Sequence, residues 1–128
     1  FFVAEVSLKS NNIQYIDKPL YYYFQREGSI VHDDYMQLNT LCWVKAYEEI
    51  LDRYQEYGVN ESVLEIIKRM YVYRCGKLLE KAIEIKDIEK INILKDKIKK
   101  EFLVYVRTNL EHLERVQWII ELILYSMD

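Results

Sequence analysis

The stretch NESVLEIIKRMYVYRCGKLLEKAIEIK (residues 60–86) predicts a long helix. It contains one glycine and no proline, and Asn60 can cap the first turn with its side chain. Ser62 followed by Glu65 is an alternative cap of the capping-box type. Apolar side chains at helical spacing predict the face that packs inward, which comprises Ile66, Met70, Tyr73, the aliphatic stem of Lys77 and Leu78.

The sequence before this stretch predicts another helix over residues 34–57. Asp34 followed by Gln37 resembles a capping box, and Gly58 stands where a helix-ending glycine is common. The side chains predicted to face inward are Leu41, Val44, Tyr47, Leu51 and Tyr54.

The sequence after residue 86 predicts a third helix, which Asp87 can cap. Its apolar seam would be formed by Ile91, Leu94, Ile98 and Phe102. Thr108 with Glu111 resembles a capping box, which predicts a break near residue 108 and a further helix. One unbroken helix from residue 87 to the end of the chain is the alternative, because no glycine or proline interrupts it.

The first quarter of the chain predicts a different local structure. Residues 1–10 have the pattern of a short amphipathic helix that ends at Asn11 and Asn12. IQYI (residues 13–16) and LYYYF (residues 20–24) predict two short strands, separated by the turn signal DKP. The expected fold is therefore mainly α: a short N-terminal helix and two short β-strands, followed by a C-terminal bundle of three to four helices.

Composition limits the classes of protein to which the chain can belong. Of its 128 residues, 51% are hydrophobic and 30% are charged, which is typical of a folded domain. Three glycines and one proline favour helix over long irregular loops. The net charge of −3, without a basic block, argues against a nucleic acid as partner.

The sequence does not predict a metal site. Cys42 and Cys75 are too far apart for a zinc site or a disulfide framework, and we expect both to be reduced thiols in the core. The run HDD at residues 32–34 could offer ligands, but adjacent side chains rarely point at one ion. We interpret it instead as the start of a helix, with one aspartate as the cap.

No apolar run is long enough to predict a membrane-spanning helix. The most apolar run, VQWIIELILY (residues 116–125), is short and contains Glu121. Because glutamates rather than lysines and arginines accompany it, packing inside a helical bundle is favoured over attachment to a membrane surface.

The run YYYFQREGS (residues 21–29) is the strongest candidate for a functional segment. Arg26 offers a planar fork of donors that suits a phosphate or diphosphate, and Ser29 adds a hydroxyl group. Gly28 lets the chain turn tightly between them. The alternative is a strand end with Arg26 and Glu27 in solvent and Ser29 in a turn hydrogen bond.

The longer run IQYIDKPLYYYFQREGSI (residues 13–30) resembles a segment of bacterial family-2 glycosyltransferases. In that family a strand of the type i-x-Y-I-D-x-P-L-Y-x-Y is followed by R-x-x-S. The resemblance covers about the first quarter of the chain, and the matching residues are Ile13, Tyr15, Ile16, Asp17, Pro19, Leu20, Tyr21, Tyr23, Arg26, Gly28 and Ser29.

The resemblance implies that residues 1–33 are the tail end of a catalytic domain of the GT-A fold and that residues 34–128 are a helical extension. Such an enzyme moves a sugar from a nucleotide-sugar donor to a glycan or lipid-linked acceptor, as in surface polysaccharide biosynthesis. It holds a divalent metal, Mg²⁺ or Mn²⁺, on a D-x-D motif that this chain lacks. The general base is expected just upstream of Phe1, so the chain alone is expected to be inactive. The expected location is the cytoplasm, including the inner face of the cell membrane.

The resemblance also assigns roles to the candidate segment. In the family the R-x-x-S segment is a loop that closes over the donor diphosphate, so Arg26 would stabilise the leaving group and Ser29 would assist. Gly28 would allow the turn, and Tyr21 and Tyr23 would give aromatic support. His32 is a further candidate, although many relatives carry small polar residues there.

A helical oligomerisation or interaction module without a catalytic role is the alternative interpretation. We expect the isolated chain to associate with itself, most simply as a homodimer, because an aromatic strand cut away from its catalytic domain would expose both an edge and an apolar face. The alternative module would dimerise or dock through its apolar helices. Association with a membrane is expected only through the parent enzyme or its acceptor.

Overall fold

A computed structural model gives the structure of the protein and describes residues 2–24, 26–27 and 38–127. Within these ranges the regular secondary structure is entirely helical, and no strand is formed. Residues 38–40 are helical. The longer helices are α1 (Phe2–Lys9), α2 (Cys42–Glu56), α3 (Glu61–Glu84), α4 (Ile88–Thr108) and α5 (Leu113–Tyr125).

Helix α3 is the centre of the fold. It packs most extensively against α4, then against α2, and also contacts α5. Asn60 caps it, as predicted, because its side-chain oxygen accepts a hydrogen bond of 2.9 Å from the backbone N–H of Ser62. The side chains that α3 buries are Leu64, Tyr71, Val72, Cys75, Leu78, Leu79 and Ala82.

The prediction of which face of α3 packs inward is largely wrong. Leu78 is buried, but Ile66, Met70 and Tyr73 are each nearly half exposed. Apolar residues occur on all sides of this helix, so the periodicity alone cannot choose the buried side. The buried side of α3 is set by the helices that pack against it, and these cover the neighbouring residues Tyr71 and Val72.

Helix α4 follows the prediction closely. The side chain of Asp87 accepts a hydrogen bond of 3.0 Å from the backbone N–H of Lys90, so it caps the helix. Ile91, Leu94 and Ile98 form the buried seam, which Tyr105 extends, and Phe102 is partly buried beside it.

Helix α4 ends at Thr108 and α5 begins at Leu113. The predicted helix break near residue 108 is therefore confirmed, and the alternative of one unbroken helix is wrong. The predicted capping box of Thr108 and Glu111 does not form. The Thr108 hydroxyl donates backwards, to the carbonyl of Val104 at 2.8 Å, and it therefore belongs to the end of α4. His112 stands at the N-cap of α5 without a side-chain capping bond.

Helix α2 begins later than predicted. Leu41 has a φ of 50°, in the left-handed region, and this residue separates residues 38–40 from α2. The proposed cap at Asp34 lies outside the described residues. At the other end Gly58 has a φ of 69°, and the N–H of Val59 donates to the carbonyl of Tyr54 at 3.1 Å, as expected for a helix-ending glycine.

The predicted N-terminal helix is confirmed as α1, which packs against α2. Arg53 donates to both carboxylate oxygens of Glu5, at 2.7 and 3.3 Å. This hydrogen-bonded pairing with Arg53, helped by Lys9, lowers the pKa of Glu5 to about 2. The carboxylate therefore stays charged over the physiological pH range.

The two predicted strands, residues 13–16 and 20–24, are wrong. Both runs lie in a stretch without regular structure, residues 10–24, whose side chains are exposed. A strand needs the backbone groups of a neighbour for its hydrogen bonds, and no described residue provides them. High β-propensity in the sequence is therefore not sufficient to form a sheet.

The contact between α3 and α5 can be tested at Gly76. A Cβ atom there would lie 2.6 Å from Cδ1 of Ile119 and 2.6 Å from Cη2 of Trp118. We expect Gly76→Ala to lower the free energy of unfolding by about 1–3 kcal/mol, because α5 must shift to relieve the overlap. Urea unfolding measures this change.

The control is Gly76→Ala combined with Ile119→Val, which removes one of the two overlapping atoms. The double variant should recover part of the loss caused by Gly76→Ala. Because alanine has the higher helix propensity, a Gly76→Ala protein more stable than the wild type would show that α5 does not pack here.

Candidate functional site

The residues predicted to form the diphosphate loop are not brought together in the described part of the chain. Tyr21, Tyr23 and Arg26 are exposed, and no described residue forms a hydrogen bond or an ion pair with Arg26. Gly28, Ser29 and His32 lie outside the described residues. The roles assigned to all six therefore stay predictions.

The segment that precedes Arg26 is exposed and apolar. Eight large side chains within residues 13–24 each expose between 54% and 91% of their surface, and we call residues 13–24 the exposed segment. The only side-chain hydrogen bond described within it joins the Tyr15 hydroxyl to Asp17 at 3.5 Å. The eight side chains are Ile13, Tyr15, Ile16, Leu20, Tyr21, Tyr22, Tyr23 and Phe24.

The described residues contain no group of three or more His, Cys, Asp or Glu side chains that could hold a metal ion. Cys42 and Cys75 are free thiols, but only Cys75 is in the core, so the prediction that both are core residues is wrong for Cys42. Cys42 begins α2 and is exposed there.

A partly buried polar cluster joins α2, α3 and α4. One carboxylate oxygen of Glu48 accepts hydrogen bonds from the Tyr71 hydroxyl, at 2.8 Å, and from the Lys97 ammonium group. Burial raises the pKa of Glu48, but the bonds from Lys97 and Tyr71 outweigh it, so the net change is downward. The charged carboxylate thus links all three helices.

The same cluster does not have the properties of a nucleophilic site. Cys75 lies one helical turn after Tyr71, and burial raises the pKa of its thiol to about 12. Burial also raises the pKa of Tyr71. Both groups stay protonated at neutral pH, whereas a catalytic cysteine needs the thiolate. The cluster is therefore structural.

The effect of Glu48 on stability depends on pH. The folded state lowers the pKa of Glu48 below its ordinary value of 4.5, so its contribution is complete above that value and is lost as the pH falls through the folded-state pKa. We expect Glu48→Gln to cost about 1 kcal/mol at pH 7, because its charged hydrogen bonds are partly exposed to solvent. Urea unfolding at neutral and acid pH measures the cost.

The matched control is Glu49→Gln, since Glu49 is exposed and forms no hydrogen bond or ion pair with a described residue. It should be nearly neutral at both pH values. The account of the cluster is contradicted if the two variants lose the same stability, or if the cost of Glu48→Gln grows on acidification.

A second feature is a cleft between α2, α3 and α4 and the start of α5. We call it the arginine–tyrosine cleft. Its volume is about 450 Å³, within the range of about 300–1,000 Å³ that is usual for small-molecule sites. Its lining residues are Tyr47, Arg69, Met70, Tyr73, Arg74, Tyr105, Asn109 and Arg115.

The charge in this cleft is unbalanced. It is lined by three arginines and no carboxylate, and none of the three forms an ion pair with a described residue. By contrast, Arg53 pairs with Glu5 and Arg107 pairs with Glu65. The chain as a whole has a net charge of −3, so the positive charge of this cleft is a local feature.

Two of these arginines are held by neighbouring groups. Arg69 donates to the carbonyl of Thr108 at 3.3 Å, near the end of α4. The guanidinium carbon of Arg74 lies 5.0 Å from the centre of the Trp43 ring, in a cation–π contact. These contacts position the side chains but leave most of their N–H donors free of described acceptors.

Asn109 lines the cleft and carries a buried acceptor without a donor. The residue is only 1% exposed, and its Nδ2 donates to the carbonyl of Tyr105 at 2.8 Å. Its Oδ1 is buried and accepts no hydrogen bond from any described residue. A buried acceptor without a donor costs about 1–3 kcal/mol.

The sequence contains one pattern that belongs to this cleft, although the pattern predicts core packing. Met70, Tyr73 and Arg74 recur at helical spacing on one face of α3, and the first two were predicted to belong to the core. They line the cleft instead and are therefore only half covered. Arg115 and Asn109 come from other parts of the chain, and only the fold brings them to this face.

In the described part of the chain, each helix is too short or too polar to cross a membrane. Comparison of the chain with protein-family models, curated proteins and solved structures finds no match.

Proposed function

We propose that the chain is the C-terminal region of a bacterial family-2 glycosyltransferase of the GT-A type. The parent enzyme would move a sugar from a nucleotide-sugar donor to a glycan or lipid-linked acceptor, in the cytoplasm and at the inner face of the cell membrane. The support comes from the resemblance of residues 13–30 to that family and from the exposure of the side chains of residues 13–24.

The observation that carries the proposal is the exposed segment. A large exposed apolar surface usually marks a site of contact with another protein or domain. The backbone of the exposed segment also forms no hydrogen bonds with a neighbouring strand among the described residues. An upstream catalytic domain would cover the aromatic side chains and could accept the backbone as an added strand. Residues 13–16 and 20–24, which have high β-propensity, would then form strands in the whole enzyme.

Arg26 follows this segment and is the residue we propose to act in catalysis. Its guanidinium group would donate to the diphosphate of the departing nucleotide, where negative charge develops during transfer. Ser29 would add one hydrogen bond. The described residues do not fit the divalent metal of the family, because they contain no suitable ligand cluster. The metal would belong to the catalytic domain, and we derive no step from it.

The proposal can be tested in the longer protein that would contain this chain. We expect Arg26→Ala to lower kcat by about two to three orders of magnitude, the usual cost of losing one charged stabiliser of the transition state. Arg26→Lys should recover part of the rate, because lysine keeps the charge but loses the bidentate fork. Steady-state transfer kinetics measure these effects.

Lys18→Ala is the matched control, since Lys18 is an exposed cation at a variable position of the family pattern. It should leave kcat close to that of the wild type. A wild-type kcat in Arg26→Ala would contradict the proposed role.

The second candidate function is a helical oligomerisation module. It is favoured by one observation: α5 and the residues after it expose a set of large apolar side chains, which are Leu113, Ile120, Leu124, Tyr125 and Met127. Such a surface would support a two-fold dimer without any contact with substrate.

We expect the isolated chain to be a homodimer, and two variants distinguish the surfaces that could form it. If the exposed segment forms the interface, Tyr22→Glu should give a monomeric mass in light scattering and Leu124→Glu should not. The opposite result would favour the oligomerisation module. A monomeric wild-type chain over a wide concentration range would contradict both.

A further inference from the structure

We propose that the arginine–tyrosine cleft is a binding site for a sugar that carries a phosphate group. This inference goes beyond the proposed glycosyltransferase assignment and does not depend on it. It rests on three properties of the cleft: unpaired positive charge, aromatic walls and a buried acceptor without a donor.

The positive charge predicts an anionic ligand. Arg69, Arg74 and Arg115 all line the cleft, and none has a carboxylate partner among the described residues. A guanidinium group matches the oxygens of a phosphate through two parallel N–H donors, and it remains charged at any physiological pH. Three such groups around one cavity would be repulsive unless an anion lies between them.

The tyrosine side chains that line the cleft predict that the ligand also has a hydroxylated, partly apolar part. Tyr47, Tyr73 and Tyr105 contribute aromatic rings, whose faces carry partial negative charge and favour contact with C–H groups. A sugar ring presents C–H groups on its faces and hydroxyl groups at its edge. Trp43 extends the aromatic surface, because it stacks with Arg74 at the side of the cleft.

The acceptor on Asn109 selects for a donor on the ligand. A sugar ring carries several hydroxyl groups that could donate to Oδ1, whereas inorganic phosphate carries its hydroxyl groups on the same phosphorus atom that the arginines would hold. Because Oδ1 is buried, a small shift of the Asn109 side chain would be needed for a ligand hydroxyl group to reach it. Inorganic phosphate would therefore satisfy the arginines but leave the tyrosine walls unused.

The test is isothermal titration calorimetry of the purified chain with glucose 1-phosphate, inorganic phosphate and glucose. We expect glucose 1-phosphate to bind at least about tenfold more tightly than either of the other two, a difference of about 1.4 kcal/mol. The affinity should fall with increasing salt. In NMR spectra the indole N–H of Trp43 should shift on binding, since Trp43 adjoins Arg74.

The location is tested with Arg115→Gln. This side chain is exposed and forms no hydrogen bond or ion pair with a described residue, so the fold should be unaffected. We expect about a tenfold loss of affinity for glucose 1-phosphate. The matched control is Arg107→Gln, which removes the same charge from α4 outside the cleft and should bind as the wild type does.

Three outcomes would overturn the proposal. Equal affinities for inorganic phosphate and glucose 1-phosphate would mean that the cleft does not recognise a sugar. Equal losses in Arg115→Gln and Arg107→Gln would mean that the binding is not located in the cleft. The absence of measurable heat together with an unchanged Trp43 signal would mean that the cleft is not a site for this class of ligand.

Discussion

The burial of α3 between its neighbouring helices is the interaction on which the rest of the structure depends. Val72, Cys75, Leu79 and Ala82 have no exposed surface, and they are covered by α2, α4 and α5. Burying a large apolar side chain contributes about 1.5–3 kcal/mol, far more than one exposed ion pair. The ion pairs of this protein, most of which lie at the surface, therefore adjust the fold rather than create it.

The helices that carry their own start and stop signals were predictable from the sequence. Asn60 and Asp87 cap α3 and α4, and Gly58 follows the end of α2, because capping depends on contacts within a few residues. The buried side of α3 was not predictable, because that helix is apolar on several sides. The failure of the two strands has a related cause, since pairing depends on residues far away in the chain or outside it. The arginine–tyrosine cleft was also hidden, because Arg69, Asn109 and Arg115 are brought together only by tertiary packing.

The structure separates residues that hold the fold from residues that are free to act. Glu48, Tyr71 and Lys97 satisfy one another, and the raised pKa of Cys75 keeps its thiol unreactive. The arginines of the cleft have no carboxylate partners in the described ranges, and Asn109 keeps an unsatisfied acceptor. A buried acceptor left without a donor costs stability, and its position in a cavity lined by three arginines without carboxylate partners is the physical reason to expect a ligand there.

The central claim about function is that a further domain covers the exposed segment. Hydrogen–deuterium exchange of the longer protein and of the isolated chain tests this most directly. The account predicts that the amides of residues 13–24 exchange slowly in the longer protein and rapidly in the isolated chain, while those of α3 exchange slowly in both. Rapid exchange of residues 13–24 in the longer protein as well would contradict it.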